Sequence, residues 1–296
     1  MKIGINMLLW TDAPTFAEHE RLVRAHRDWG FDGVEFPVAP MTGADIAAFS
    51  SLCDGVGLGR SAILALDAGR ADPASADPRL RSAALDEIRS AVDKTAALGA
   101  QVLCGPLFQG LGRFSGAAPT CAELERTAEV LRQAGEHAWA CGISLALEPL
   151  NRFEMYMANT MEQAAAIVRR IGLPNVGLLA DTHHGNIEER DVAAAWQEVR
   201  DLIRHVHISE NDRGTPGRGH AVPPELIPQL ARSGYDGWLT IEAFGLSVPG
   251  LVSRLHLWRA TEDGEETIAR EGLRYIRERL GAASAEGGDC DAVRPD

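Results

Sequence analysis

The sequence predicts a single closed (β/α)8 barrel of the α/β class, and three observations predict it. Eight short apolar runs of strand character alternate with amphipathic helical stretches along almost all of the 296 residues. No flexible linker breaks the alternation. The first strand is not followed by the glycine-rich GxGxxG turn that an open, doubly wound sheet usually carries, so eight repeating units fit one closed barrel better.

The first run, residues 2–10 (KIGINMLLW), reads as a strand that leads into a turn. The helical stretch 15–30 (TFAEHERLVRAHRDWG) closes on glycine, the residue favoured just past a helix end because it enters the left-handed region without a Cβ clash. Strand two is 33–38 (GVEFPV) and strand three 59–66 (GRSAILAL). Helical stretches at 78–100 and 121–142 flank strand four, 101–107 (QVLCGPL). Strands five to eight follow at 143–150 (ISLALEPL), 175–181 (NVGLLAD), 203–209 (IRHVHIS) and 237–243 (GWLTIEA). Beyond them, 253–260 (SRLHLWRA) and 265–282 (EETIAREGLRYIRERLGA) are expected as extra C-terminal helices that close the outer ring. The barrel domain is therefore placed at 1–281. Residues 282–296, small, polar and aperiodic, are expected to be a disordered tail containing Cys290.

Composition excludes several classes. With 45% hydrophobic and 24% charged residues, no apolar run approaches the roughly 18 to 20 residues of a membrane span, so no membrane partner is expected. The opening segment lacks an apolar signal core and a cleavage site, which leads to the expectation of a cytoplasmic location. Five scattered cysteines without a CxxC pair suggest reduced thiols, neither a disulfide framework nor a zinc knuckle. A net charge of −13 repels phosphate backbones, so no nucleic-acid partner is expected.

In a barrel of this kind the C-terminal strand ends converge on one mouth, which carries the chemistry. Strand five ends in Glu148, strand six in Asp181, strand seven contains His207 and strand eight ends in Glu242. Taken singly, each is more often a helix cap or a hydrogen-bonded loop residue. Four consecutive strands each delivering one donor is a different matter. Adjacent strands lie about 4.8 Å apart, so the four side chains can surround one ion. Three carboxylates and one imidazole suit a hard or borderline divalent cation, manganese first, with cobalt or magnesium as alternatives.

The segments LEPLNRFE (147–154), DTHHGNIEE (181–189), HISENDRGTPGRG (207–219) and IEAF (241–244) resemble the motifs of the ketose 3-epimerases. This group, acting on D-tagatose, D-allulose or L-ribulose, lies within the xylose isomerase-like barrel superfamily. The resemblance implies one metal per subunit on Glu148, Asp181, His207 and Glu242, and a homodimer or homotetramer. It further implies that Glu148 and Glu242 are the acid/base pair and that Glu154, His184 and Arg213 contact the sugar. His183, Gly185 and Ser209 depart from the family's usual residues and bear on sugar preference more than on reaction type.

Inverting C3 of a free ketose requires removal of a proton beside the carbonyl, passage through a cis-enediolate and return of the proton to the other face. Two carboxylates that alternate as base and acid, with a Lewis acid at the carbonyl, meet that need. Arg213, in a glycine-rich loop after a donor-bearing strand, offers a fixed positive charge to the developing oxyanion. Glu35, at the end of strand two, is expected either to bind a sugar hydroxyl or to order neighbouring loops. Trp10 and Phe108 are read as either a sugar-facing wall or core, and Cys104 as a small core residue. The competing readings are an aldose–ketose isomerase of the hydroxypyruvate isomerase type, a metal-dependent phosphodiesterase like the apurinic endonucleases, and a non-catalytic sugar binder.

Overall fold

The structure is a computed structural model and describes residues 1–261 and 264–288. Eight parallel strands among these residues close into a barrel in which each strand pairs with its sequence neighbours and β8 pairs with β1. The strands are β1 (Lys2–Asn6), β2 (Gly33–Pro37), β3 (Gly59–Ile63), β4 (Val102–Gly105), β5 (Ser144–Leu147), β6 (Val176–Asp181), β7 (Ile203–Ile208) and β8 (Trp238–Ile241). All eight runs read from the sequence form strands. They are shorter than the apolar runs because polar groups end them. Asn6, for example, accepts the Leu8 N–H through its side chain and turns Met7–Leu9 into a 3-10 turn.

The helices α1 (Phe16–Trp29), α2 (Gly43–Val56), α3 (Pro78–Leu98), α4 (Cys121–Ala140), α5 (Met161–Ile171), α6 (Thr182–Glu188), α7 (Val192–Glu198) and α8 (Leu226–Arg232) form the outer ring. Most are started by a side-chain cap. Thr120 and Thr160 each build a reciprocal box with Glu123 and Gln163, satisfying backbone N–H groups that a helix start leaves free. After β8 come α9 (Pro249–Arg254) and α10 (Glu265–Gly288). The expected helix at 253–260 is corrected here. Helical geometry starts at Pro249, whose fixed φ suits a first turn, and stops at Arg254, and His256 then takes φ +56°, which no right-handed helix tolerates. Helix α10 continues to Gly288, and the rest of the expected tail, 289–296 with Cys290, lies outside the described residues.

The main core lies between the strands and the helices, with Phe31, Phe36, Phe49, Phe108 and Trp196 fully buried. A second small core of Ile63, Cys104, Ala146 and Leu179 lies apart from it. The Trp238 indole covers the bottom of the barrel, which it reaches only because Gly33 and Gly59 lack side chains; a Cβ there would lie 2.3 Å and 2.6 Å from its ring. Among the described residues no helix is long and apolar enough to cross a membrane.

Candidate active site

The loop after β5, the end of β6, the C-terminal end of β7 and the loop after β8 bring Glu148, Asp181, His207 and Glu242 together. One ligand atom from each lies within 4.8 Å of the others, and all four residues are buried. His207 Nδ1 is 3.8 Å from Glu148 Oε1, 3.7 Å from Asp181 Oδ2 and 3.4 Å from Glu242 Oε1.

Each side chain divides its atoms between holding and facing. Asp181 Oδ1 caps α6 by accepting the N–H groups of His183 (2.6 Å) and His184 (3.1 Å). Its Oδ2 has no hydrogen-bond partner. His207 Nε2 lies 2.8 Å from Glu35 Oε1, so the carboxylate fixes the ring and leaves Nδ1 aimed at the acids, also without a partner. Glu242 Oε2 accepts from Arg213 (2.9 Å) while Oε1 faces His207. Glu148 Oε1 is the third buried atom without a partner. Buried polar atoms are nearly always satisfied, so three that converge on one point mark a candidate cation site.

The electrostatics agree. Burial, then the charge of Glu242, push Glu148 well above the usual carboxylate range. Asp181 is pushed up to about 6, chiefly by burial, with Arg213 opposing and Glu242 reinforcing. Burial works in the same direction on Glu242, but His207 and Arg213 outweigh it and hold that carboxyl below its ordinary value. Burial disfavours charge on His207, yet Glu35 and Glu242 lift it well above 6.5, so that a proton on the imidazole partly compensates the acids.

Arg213 and His184 form one wall. Arg213 sits in the left-handed region at φ +61°, an unfavourable place for a long side chain, and is held there because its N–H donates to the Glu210 carbonyl while its own carbonyl accepts from Phe244. Its buried guanidinium also donates to Ser209 Oγ (3.0 Å) and stacks over the Phe244 ring. The Asn151 N–H points at His184 Nδ1 from 3.1 Å, and on the other side of the ring Arg213 Nη2 points at Nε2 from 3.1 Å, so the imidazole is held between two donors. Burial, then Arg213, keep His184 well below 6.5 and hence neutral.

Glu154 lies farther out, 4.0 Å from Arg213, and its carboxylate accepts from Asn151 Nδ2 at 2.7 Å. With His183, Arg213 and the 255–259 segment it lines an outer cavity of about 240 Å³. Burial, then Arg213, push His183 down to about 3, and its Nδ1 bonds the Glu210 carbonyl. A larger cleft of about 510 Å³, on the outer ring between α3 and α4, holds none of these groups.

Glu35 is neither a sugar contact nor a loop tie. It lies inside the barrel behind His207, where it binds His205, His207, Asn6, Ser61 and the Cys104 thiol. Strand alternation carries it inward at a level below the mouth. Of the two readings of Trp10 and Phe108, packing holds. Trp10 stacks on His26 and Trp29, and Phe108 is fully buried. Sequence reasoning missed His205, Asn151 and Glu210. Glu210 is the one that orders the glycine-rich loop, accepting the N–H groups of Gly217 and Ala221; a Cβ on Gly219 would come within 2.4 Å of its carboxylate. The pairing of His205 with Glu35 has no local signal, since the two residues meet only across the closed barrel.

The family model described as xylose isomerase-like TIM barrel matches residues 23–279. A ketose 3-epimerase of Arthrobacter globiformis is 34% identical over 284 residues, which cover 95% of this chain and 98% of that protein. The solved structure of an L-ribulose 3-epimerase covers 100% of this chain and 99% of its own, with a TM-score of 0.92 at 30% identity. A D-allulose 3-epimerase from Methylomonas sp., solved in complex with D-allulose, covers 94% of this chain and 97% of its own, with a TM-score of 0.87 at 26% identity. By sequence along nearly its whole length and by the shape of the barrel, this chain belongs to the xylose isomerase-like TIM barrel family, on its ketose 3-epimerase branch.

Proposed function

We propose that this isomerase epimerises free ketoses at C3 and that Glu148 and Glu242 carry the proton. We further infer that Glu148, Asp181, His207 and Glu242 hold one divalent cation, manganese first. The observation that carries the reading is the convergence of three partnerless buried atoms, Glu148 Oε1, Asp181 Oδ2 and His207 Nδ1, beside Glu242 Oε1. Three carboxylates and an imidazole without a thiolate are a donor set for a hard or borderline ion.

When bound, such a cation supplies Lewis acidity that makes the hydrogen next to the substrate carbonyl more acidic. The residues do the rest. Glu242, kept ionised by His207 and Arg213, takes the proton from C3 through a carboxylate oxygen. Glu148, the other carboxyl of the pair, returns one to the opposite face. Arg213, held in place by Ser209, Glu242 and His184, is a preset donor for the oxygen on which negative charge develops, which costs no reorganisation at the moment of reaction. Glu154, His183 and the 255–259 segment bound the outer cavity in which the distal carbons of the sugar lie.

The test is a panel of D-allulose, D-tagatose, D-fructose and L-ribulose, turned over in deuterated water with added manganese. Deuterium is expected at C3. Label at C1 instead would establish an aldose–ketose isomerase, and full activity of a Glu242→Gln enzyme would end the assignment of the base. The inferred homodimer or homotetramer is read by light scattering.

A further inference from the structure

A second set of dissimilar donors lies on the outer ring, where α3 and α4 pack side by side. Asp93 projects from the last turns of α3, His137 from the last turn of α4, and Cys141 caps that helix. His137 Nε2 is 2.7 Å from Asp93 Oδ1 and 4.0 Å from Cys141 Sγ, and the sulfur is 3.9 Å from the same Asp93 oxygen. The three atoms form a closed triangle.

The shape of that triangle separates two chemistries. A Cys–His–Asp relay that activates sulfur uses one ring nitrogen for the thiol and the other for the carboxylate. Here both partners face the same nitrogen, Nε2, so the donors surround a common point instead of passing a proton along a line. Bond lengths of about 2.0 to 2.3 Å put tetrahedral N, O and S ligands roughly 3.3 to 3.6 Å apart, so side-chain shifts of about half an ångström close the set.

Three further features favour a cation there. His137 and Cys141 are four residues apart on one helix face, a spacing that helix geometry holds fixed. The carbonyl end of α4 carries the negative pole of its dipole. The side chains of Asp93 and His137 keep 62% and 32% of their exposure, which leaves a fourth coordination position open to water. Both helices end at the bottom of the barrel, opposite the strand ends that form the mouth.

We propose that Asp93, His137 and Cys141 form a surface site for a borderline-soft divalent cation, zinc first, that clips the ends of α3 and α4 together. The thiolate sets its preference apart from that of the oxygen-rich mouth. Binding releases the thiol proton to solvent, and the proton with which His137 Nε2 meets Asp93 also leaves that nitrogen, the neutral ring keeping its one proton on Nδ1, so that the Nε2 lone pair goes to the metal.

The experiment is a cobalt titration of the full-length protein, read in the near ultraviolet, where thiolate-to-cobalt charge transfer absorbs and a carboxylate–imidazole site does not. A band that grows to saturation as cobalt is added, is displaced by zinc and is lost in Cys141→Ser is the expected result. His137→Gln keeps every thiol, so a weakened band there ties the signal to the triangle. In parallel, zinc should raise the unfolding temperature of the wild type and not that of Cys141→Ser, with ketose turnover equal in the two proteins. No band, or one of the same size in Cys141→Ser and so arising from another thiol such as Cys104 beside the mouth, would overturn the assignment whether or not the protein epimerises ketoses.

Discussion

The two halves of the barrel are built from the same βα unit yet finish their strands in opposite ways. At the tops of β1 to β4 stand Asn6, Pro37, Ile63 and Gly105; at those of β5 to β8 stand Glu148, Asp181, His207 and Glu242. The first half contributes one buried acid to the interior, Glu35, and it reaches across to His205 and His207 on β7. One half braces, and the other gathers the four residues proposed to hold a cation. A cluster of like charges is costly inside a protein, and the closed barrel allows the cost to be met from the opposite wall.

The sharpest way to break that comparison is a change of one oxygen in the binding half. Glu242→Gln should lower kcat by about 10²- to 10⁴-fold, the usual contribution of a positioned acid or base, in steady-state assays with manganese. A packing change in the bracing half, Ile63→Val, should leave kcat unchanged and cost roughly 0.5 to 1.5 kcal/mol in urea unfolding.

Glu35→Gln tests whether the brace acts on the site. It retains the shape but loses the charge that fixes His207, so cation affinity or activity should fall about 10- to 100-fold, measured by metal titration. An unchanged affinity would show the two halves to be independent.

A smaller effect is expected from Asp181→Asn, which keeps the α6 cap through its remaining oxygen. With Asp181 pushed from 3.8 up to about 6, the cation-free protein loses stability as pH rises from about 4 to about 6, and the loss persists above that. The chelated variant should therefore be more stable than chelated wild type at pH 7, by on the order of 1 to 3 kcal/mol. With manganese added the order should reverse.

His26, on the bracing side, should affect stability alone. It is buried against Trp10, Trp29 and Phe31, neither ring nitrogen has a hydrogen-bond partner, and burial pushes it from 6.5 down to about 3. A group lowered on folding gives stability that is intact above pH 6.5 and is lost as pH falls toward 3, because the unfolded chain takes up the proton first. Between pH 7 and pH 5 the wild type should lose about 2 kcal/mol more than His26→Phe, with no difference in turnover.

Legibility in the sequence followed the range of each interaction. Strands such as 175–181 were readable because a buried parallel strand is an unbroken apolar run. The convergence of Glu148, Asp181, His207 and Glu242 was readable because each lies in, ends or follows such a run, so chain position predicts position around the mouth. The segment 253–260 was misread because its apolar spacing suits a helix, whereas His256 breaks the backbone. Glu35 was misplaced in depth, since strand periodicity gives the face of a residue and not its height relative to a partner on β7.

The amino-acid order by itself determined the number of strands, their parallel alternation with helices and which strand ends carry acids and histidine, because these are local patterns. Only the tertiary structure decided which oxygen of Asp181 caps a helix and which stays free, that Glu35 stands behind His207, and that Arg213 is held in a strained turn beside Glu242. Those facts arise from side chains that are far apart along the chain and meet only when the barrel closes, and no local pattern encodes such a meeting.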